Sequence, residues 1–129
     1  MGAAMVYDSP DGDRLGSILI VEDDGLLSMM MEEMMRDLGA GSVRVCSDTG
    51  EALRVARNEH IDCAILDIYV HGISTYEVAD VLSKRQIPFI FCSGIDASEV
   101  DARYRHRPFL AKPYGDHELR NCLTRAIAA

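Results

Sequence analysis

Four short apolar runs in this chain each end in a polar or charged residue. Ile18-Leu19-Ile20-Val21 precedes Glu22-Asp23-Asp24, Ala64-Ile65-Leu66 precedes Asp67, Phe89-Ile90-Phe91-Cys92 precedes Ser93, and Phe109-Leu110-Ala111 precedes Lys112-Pro113. Runs of this length, bounded by turn residues and separated by helical patterns, read as strands buried on both faces of a parallel sheet. A shorter run, Val43 to Cys46, predicts one more strand. Helices are predicted from an Asp23 or Asp24 cap to about Leu38, from caps within Ser47 to Thr49 to about Glu59, from about Thr75 to Arg85, and from Gly115 or Asp116 through Leu119, Leu123, Ala126 and Ile127.

In the first helix, Leu27, Met30, Met31, Met34 and Leu38 recur at three- and four-residue spacing and predict the core-facing stripe. Leu26, Met29 and Met35 fall off that stripe, leaving a smaller patch for a partner. Pro88 is expected at the first position of the fourth strand, where a missing backbone donor costs least. His71, Gly72 and Ser74 read as loop, and Ser98 to Tyr104 as a short helix with little apolar content.

Five strands alternating with helices predict an α/β fold, a doubly wound five-stranded parallel sheet, because parallel neighbours need right-handed helical crossovers. The order 2-1-3-4-5, as in flavodoxin-like folds, suits five strands. In such sheets ligands bind beyond the carboxyl ends of the strands, so the acids, the hydroxyl and the ammonium are expected to converge on one crevice.

That convergence has a specific chemistry. Carboxylates from Glu22, Asp23 and Asp67 brought close together repel unless a cation relieves them, and hard oxygen ligands suit Mg²⁺. The acids after the first strand equally suit a helix cap, and capping alone does not separate the two readings. Asp67 has no helix to cap before about Thr75, which favours the crevice. A strand-end carboxylate can attack phosphorus, Lys112 can neutralise phosphoryl oxygens as a point charge, and Ser93 can donate its hydroxyl to one. A phosphatase using a second acid two residues past the nucleophile is disfavoured, because Tyr69 stands there.

The 129 residues fit one domain, with residues 1–16 expected to be a flexible leader and 17–129 the folded unit. A net charge of -8 argues against direct nucleic-acid binding. The N-terminal segment lacks a signal peptide's basic and apolar regions, and no stretch approaches the about 18 consecutive apolar residues of a membrane span. Cys46, Cys63, Cys92 and Cys122 are widely spaced and are expected to be reduced thiols of a cytoplasmic protein.

Glu22-Asp23, Asp67, Ser93, Phe109 and Lys112-Pro113 occur in the order and approximate spacing of the receiver domain of two-component response regulators, which the chain resembles from about Ser17 to Ala128. The resemblance implies Mg²⁺ held by Asp23, Asp67 and the main-chain carbonyl of Tyr69, with Glu22 assisting, and a cis peptide before Pro113. It implies a phosphoryl group accepted on Asp67 from a histidine kinase or a histidine phosphotransfer protein, and a switch through Ser93 and Phe109. It also implies that the receiver catalyses its own phosphorylation and dephosphorylation.

Val70-His71 replaces the family's usual Met-Pro or Leu-Pro, and Ser74-Thr75 its Asp-Gly. Phe91-Cys92-Ser93-Gly94-Ile95-Asp96 resembles the F-A-T-G-x-Y pattern of a subgroup common in alphaproteobacteria, largely stand-alone receivers. The end at Ala129 agrees with a stand-alone receiver whose output passes through contact with a downstream protein partner, and a homodimer is compatible with the sequence. The basic cluster Arg103, Arg105, His106 and Arg107 is expected to be a solvated loop more than a contact for an acidic partner. The competing class is a receiver-like adaptor that works without phosphorylation, motivated by the unusual loop after Asp67.

Overall fold

The computed structural model describes residues 15–128. Its main sheet has five strands: β1 (Gly16–Val21), β2 (Ala40–Cys46), β3 (Cys63–Leu66), β6 (Phe89–Ser93) and β7 (Phe109–Ala111). They are all parallel and lie in the order β2-β1-β3-β6-β7, the predicted 2-1-3-4-5 arrangement. The helices are α1 (Gly25–Asp37), α2 (Thr49–Asn58), α3 (Tyr76–Lys84) and, after the last strand, α4 (Asp116–Ala128). None of the described helices is long and apolar enough to cross a membrane.

The alternation of side chains along the central strands divides the core into two layers. Leu19, Val21, Ala64, Leu66, Phe89 and Phe91 face α2 and α3, while Ile18, Ile20, Cys63, Ile65, Ile90 and Cys92 face α1 and α4. Continuous apolar strands are therefore buried on both faces, as a helix-covered parallel sheet requires. The four cysteines are free and buried.

Most of the expected leader lies outside the described residues. Leu15 is already in the core, its amide bonded to the Gly39 carbonyl at 3.1 Å, so packing begins ahead of the expected Ser17 start. Gly16 has φ +72°, and a Cβ there would lie 2.0 Å from Asp62 Oδ2; only glycine fits this entry to β1.

Four sequence expectations need correction. Met35 is fully buried and Met30 is 50% exposed, so the stripe of α1 runs through Ser28, Met31, Met35 and Leu38. Ser28 hid that phase, because its hydroxyl is satisfied by the Gly25 carbonyl within the helix, at 3.0 Å. Pro88 precedes β6 and supplies a carbonyl to the Ala64 amide at 3.1 Å. The segment expected as a helix from Ser98 to Tyr104 forms two 3-10 turns, Ala97–Glu99 and Ala102–Tyr104.

The loop after Asp67 holds the fourth difference, a hairpin of β4 (Tyr69–Val70) and β5 (Ile73–Ser74). His71 and Gly72 have φ 51° and 76°, the paired left-handed conformations of a tight two-residue hairpin turn. Strands two residues long leave no periodicity to read.

Candidate functional site

Every β-strand of the main sheet that bears on the site ends at the same edge. Asp24, at the end of the β1 loop, caps α1 by accepting from the Leu26 and Leu27 amides, both at 3.0 Å. Glu22 and Asp23 are thereby left for other work. Of this acidic run, Asp24 does the capping, while Glu22 and Asp23 lie beside Asp67.

Glu22 is 2% exposed and accepts from Lys112 Nζ at 2.8 Å and from the Asp24 amide at 3.1 Å. Lys112 Nζ also donates to Asp67 Oδ2 at 3.0 Å, so one ammonium bridges acids from β1 and β3. The peptide between Lys112 and Pro113 is cis, as the resemblance implied. Asp67 sits one residue beyond β3, its amide bonded to the Val21 carbonyl at 2.9 Å. Asp23 accepts from the His71 amide at 2.8 Å, which fastens the hairpin tip to the β1 loop.

The electrostatics follow from this arrangement. Burial pushes the Glu22 carboxyl above the usual range, against the Lys112 and Asp24 hydrogen bonds that pull it down. The His71 amide holds Asp23 below its ordinary value despite some desolvation. For Lys112, burial disfavours the charged form, but hydrogen bonds to Glu22 and Asp67 outweigh it and raise the pKa. Ligand atoms of Glu22, Asp23 and Asp67 lie within 4.8 Å of one another. Three acids facing one ammonium keep an excess of negative charge on hard oxygens, and this set fits Mg²⁺.

The remaining expected residues fall around this centre. Ser93 is buried at the end of β6, and its carbonyl accepts the Lys112 amide at 3.0 Å. Phe109, at the start of β7 beside Phe91, is half-buried against the α2/α3 layer of the core. Tyr69 is 47% exposed on the hairpin. His71, expected as an exposed loop residue, is exposed but supplies its amide to Asp23.

Sequence reasoning missed Thr75, which is fully buried and donates its hydroxyl to the Asp67 carbonyl at 2.6 Å. Ser74-Thr75 stood out only as a departure from the resembled family's Asp-Gly, and a threonine before a helix otherwise reads as a cap, so no role toward Asp67 was assigned to it. An apolar cavity of about 400 Å³ also borders the site, lined by Leu27, Met30, Met34, Lys112, Pro113 and Tyr114.

Such a sheet, with an acid pair, a lone acid, a hydroxyl and a lysine gathered at its carboxyl edge, defines a receiver. The chain belongs to the response regulator receiver domain family, whose model matches residues 18–124. Among solved structures it is similar to SdrG from Sphingomonas melonis Fr1 in solution, with 35% identity and a TM-score of 0.79 over 89% of this chain and 98% of that one. It is also similar to the receiver domain of sensor histidine kinase PA1611 from Pseudomonas aeruginosa PAO1, which has a magnesium ion coordinated in its active site cleft; identity is 26% and the TM-score 0.72, over 88% and 98% of the two chains. The transcriptional regulatory protein PdtaR of Mycobacterium tuberculosis is 26% identical over 115 residues. That match takes in 86% of this chain but only 56% of PdtaR.

Proposed function

We propose that residues 17–129 act as a phosphoacceptor receiver in a two-component pathway, taking a phosphoryl group on Asp67 from a histidine kinase or histidine phosphotransfer protein. The observation that carries this reading is the Lys112 bridge between Glu22 and Asp67, with Asp23 beside it. That constellation concentrates charge where a phosphoryl group and its counter-ion need it, and it exceeds what helix capping uses.

In the forward step an Asp67 carboxylate oxygen attacks phosphorus. The new P–O bond forms as the P–N bond to the donor imidazole breaks, and the bonding pair leaves on that nitrogen, which takes up a proton. Asp23, Asp67 and the main-chain carbonyl of Tyr69, with Glu22 assisting, would hold Mg²⁺, which when bound supplies charge neutralisation at the phosphoryl oxygens. Lys112 pairs with one phosphoryl oxygen and the Ser93 hydroxyl donates to another. Hydrolysis reverses the acceptor's state: water adds to phosphorus, the P–O bond to Asp67 breaks, and inorganic phosphate departs. The chain thus catalyses its own loading and unloading without turning over a separate substrate.

The partner side of this reading rests on α1. Leu26 and Met29 are each 68% exposed and Met30 is 50% exposed, an apolar face next to the cavity that Lys112 lines. Such a face supports docking of the phosphohistidine-bearing partner beside the acceptor. With a net charge of -8, output through protein contact in the cytoplasm, involving Ser93 and Phe109 as switch residues, is favoured over direct nucleic-acid binding.

The deciding experiment is phosphorylation by acetyl phosphate or a kinase in the presence and absence of Mg²⁺, on the wild type and on Asp67→Asn. Mg²⁺-dependent, acid-labile labelling of the wild type alone is the expected result. Labelling of Asp67→Asn at the wild-type level would remove Asp67 from the acceptor role.

A further inference from the structure

Thr75 stands at the N-cap of α3, yet its hydroxyl makes no bond to the first amides of that helix. A capping threonine ordinarily contributes about 1 kcal/mol by accepting such a bond. Here the hydroxyl turns the other way. It donates to the Asp67 carbonyl at 2.6 Å and lies 3.3 Å from the Ile68 carbonyl, while the Thr75 amide bonds the same Ile68 carbonyl at 2.8 Å. The side chain is completely buried, so water does not replace it.

These bonds close a short loop whose intervening residues form the β4 and β5 hairpin. The base of the hairpin is fixed by Thr75 and its tip by the His71 amide on Asp23. Asp67 lies just past the end of β3: its amide still reaches the Val21 carbonyl at 2.9 Å, but its own carbonyl takes its hydrogen bond from Thr75. Without that donor the part-buried carbonyl is left unpaired, and the peptide turns to find another partner. Turning that peptide swings the Asp67 carboxylate and shifts the Tyr69 carbonyl that follows it.

The geometry points to Thr75 as a positioning residue for the acceptor: its hydroxyl sets the aim of the Asp67 carboxylate and the placement of the Tyr69 carbonyl. This rests on the reading of Asp67 as the phosphoacceptor. Thr75 touches no reacting atom and acts through the main chain of residues 67 and 68.

The test uses the whole chain as wild type, Thr75→Val, Thr75→Ser and Asp67→Asn. Mg²⁺ alone is titrated by amide chemical shifts, acetyl phosphate labelling is measured across donor concentrations, and thermal unfolding reports the fold. Thr75→Val keeps the shape and loses the hydroxyl. It is expected to weaken Mg²⁺ binding and lower the maximal labelling rate roughly tenfold, the scale seen when a group orienting a metal ligand is removed. The half-saturating donor concentration is expected to stay unchanged, and Thr75→Ser to restore both quantities.

A Thr75→Val chain that binds Mg²⁺ and labels like the wild type overturns the positioning role while leaving the acceptor reading intact. So does a Thr75→Ser chain as impaired as Thr75→Val. A wild type that is labelled no more than Asp67→Asn overturns both. Should Thr75→Val not fold, Thr75→Ser against Thr75→Ala carries the same contrast, and equal behaviour of that pair overturns the role.

Discussion

Lys112 and Glu22, ninety positions apart in the chain, form a 2.8 Å ion pair in which the acid is 2% exposed and the lysine side chain 20% exposed. The same ammonium reaches Asp67 at 3.0 Å, so it supplies part of the charge neutralisation that a bound cation would otherwise have to supply.

Replacing Lys112 with methionine keeps much of the volume but leaves a buried acid beside Asp67 without its cation. The cost is expected to be on the order of 1–3 kcal/mol in the absence of divalent metal. Added Mg²⁺ should then raise the melting temperature of Lys112→Met by more than it raises that of the wild type, because the cation relieves a larger repulsion. Scanning fluorimetry with and without Mg²⁺ measures this. An equal Mg²⁺ shift in both proteins would contradict the proposed sharing of charge.

Tyr69 is 47% exposed on the hairpin, two residues beyond the acceptor. On the proposed phosphoacceptor reading, a ring in that place is expected to shield an acyl phosphate on Asp67 from attacking water. Loss of the ring in Tyr69→Ala or Tyr69→Asn is expected to speed decay of the labelled protein several-fold after the donor is removed. Equal or slower decay would assign the hairpin another role.

The buried thiols make a prediction at alkaline pH. Burial pushes both Cys63 and Cys92 up to about 12, from an ordinary value of 9.0. A raised folded-state value means the neutral thiol is favoured by folding. The stabilising contribution is therefore complete below pH 9.0 and is lost as pH rises from there toward about 12. Denaturant unfolding at a series of alkaline pH values is expected to show a shallower decline for Cys63→Ala than for the wild type. Parallel declines would refute the assignment to Cys63.

Much of this architecture was legible because the same residues serve two purposes. Runs such as Ile18 to Val21 and Phe89 to Cys92 are buried on both faces, so their hydrophobicity is continuous, and each ends where the sheet edge begins. Asp67, Ser93 and Lys112 were therefore placed by the strands that precede them. What was not legible depends on single bonds. The phase of α1 turned on Ser28 satisfying its own hydroxyl, and the hairpin after Asp67 turned on two positive φ angles at His71 and Gly72. Thr75 carries an ordinary capping signal, and only its rotamer reveals that it bonds the Asp67 carbonyl.

The segment between Ser93 and Phe109 gives the last prediction. In place of a full helix it is held to α3 by an aromatic cluster with polar ends. The Tyr104 ring stacks on Tyr76 at 6.1 Å and meets Phe89 and Phe91 edge-on at 5.8 and 5.7 Å. Its hydroxyl donates to Asp80 of α3, the Arg103 guanidinium pairs with the same carboxylate at 3.1 Å, and the Tyr76 hydroxyl accepts the Asp101 amide at 2.9 Å. Short 3-10 turns have few internal bonds of their own, so these ties to α3 decide how often the segment opens. Tyr104→Phe keeps the ring packing and loses the hydroxyl, and is expected to cost about 1 kcal/mol, while Tyr104→Ala is expected to cost about 3 kcal/mol. Amide exchange in Tyr104→Phe should quicken from Val100 to Arg107 and stay unchanged in α1. Because Ser93 and Phe109 flank the segment, the same variant should also broaden their amide resonances. Uniform acceleration across the whole chain would mean that Tyr104 stabilises the fold globally and is not a local tie on this segment.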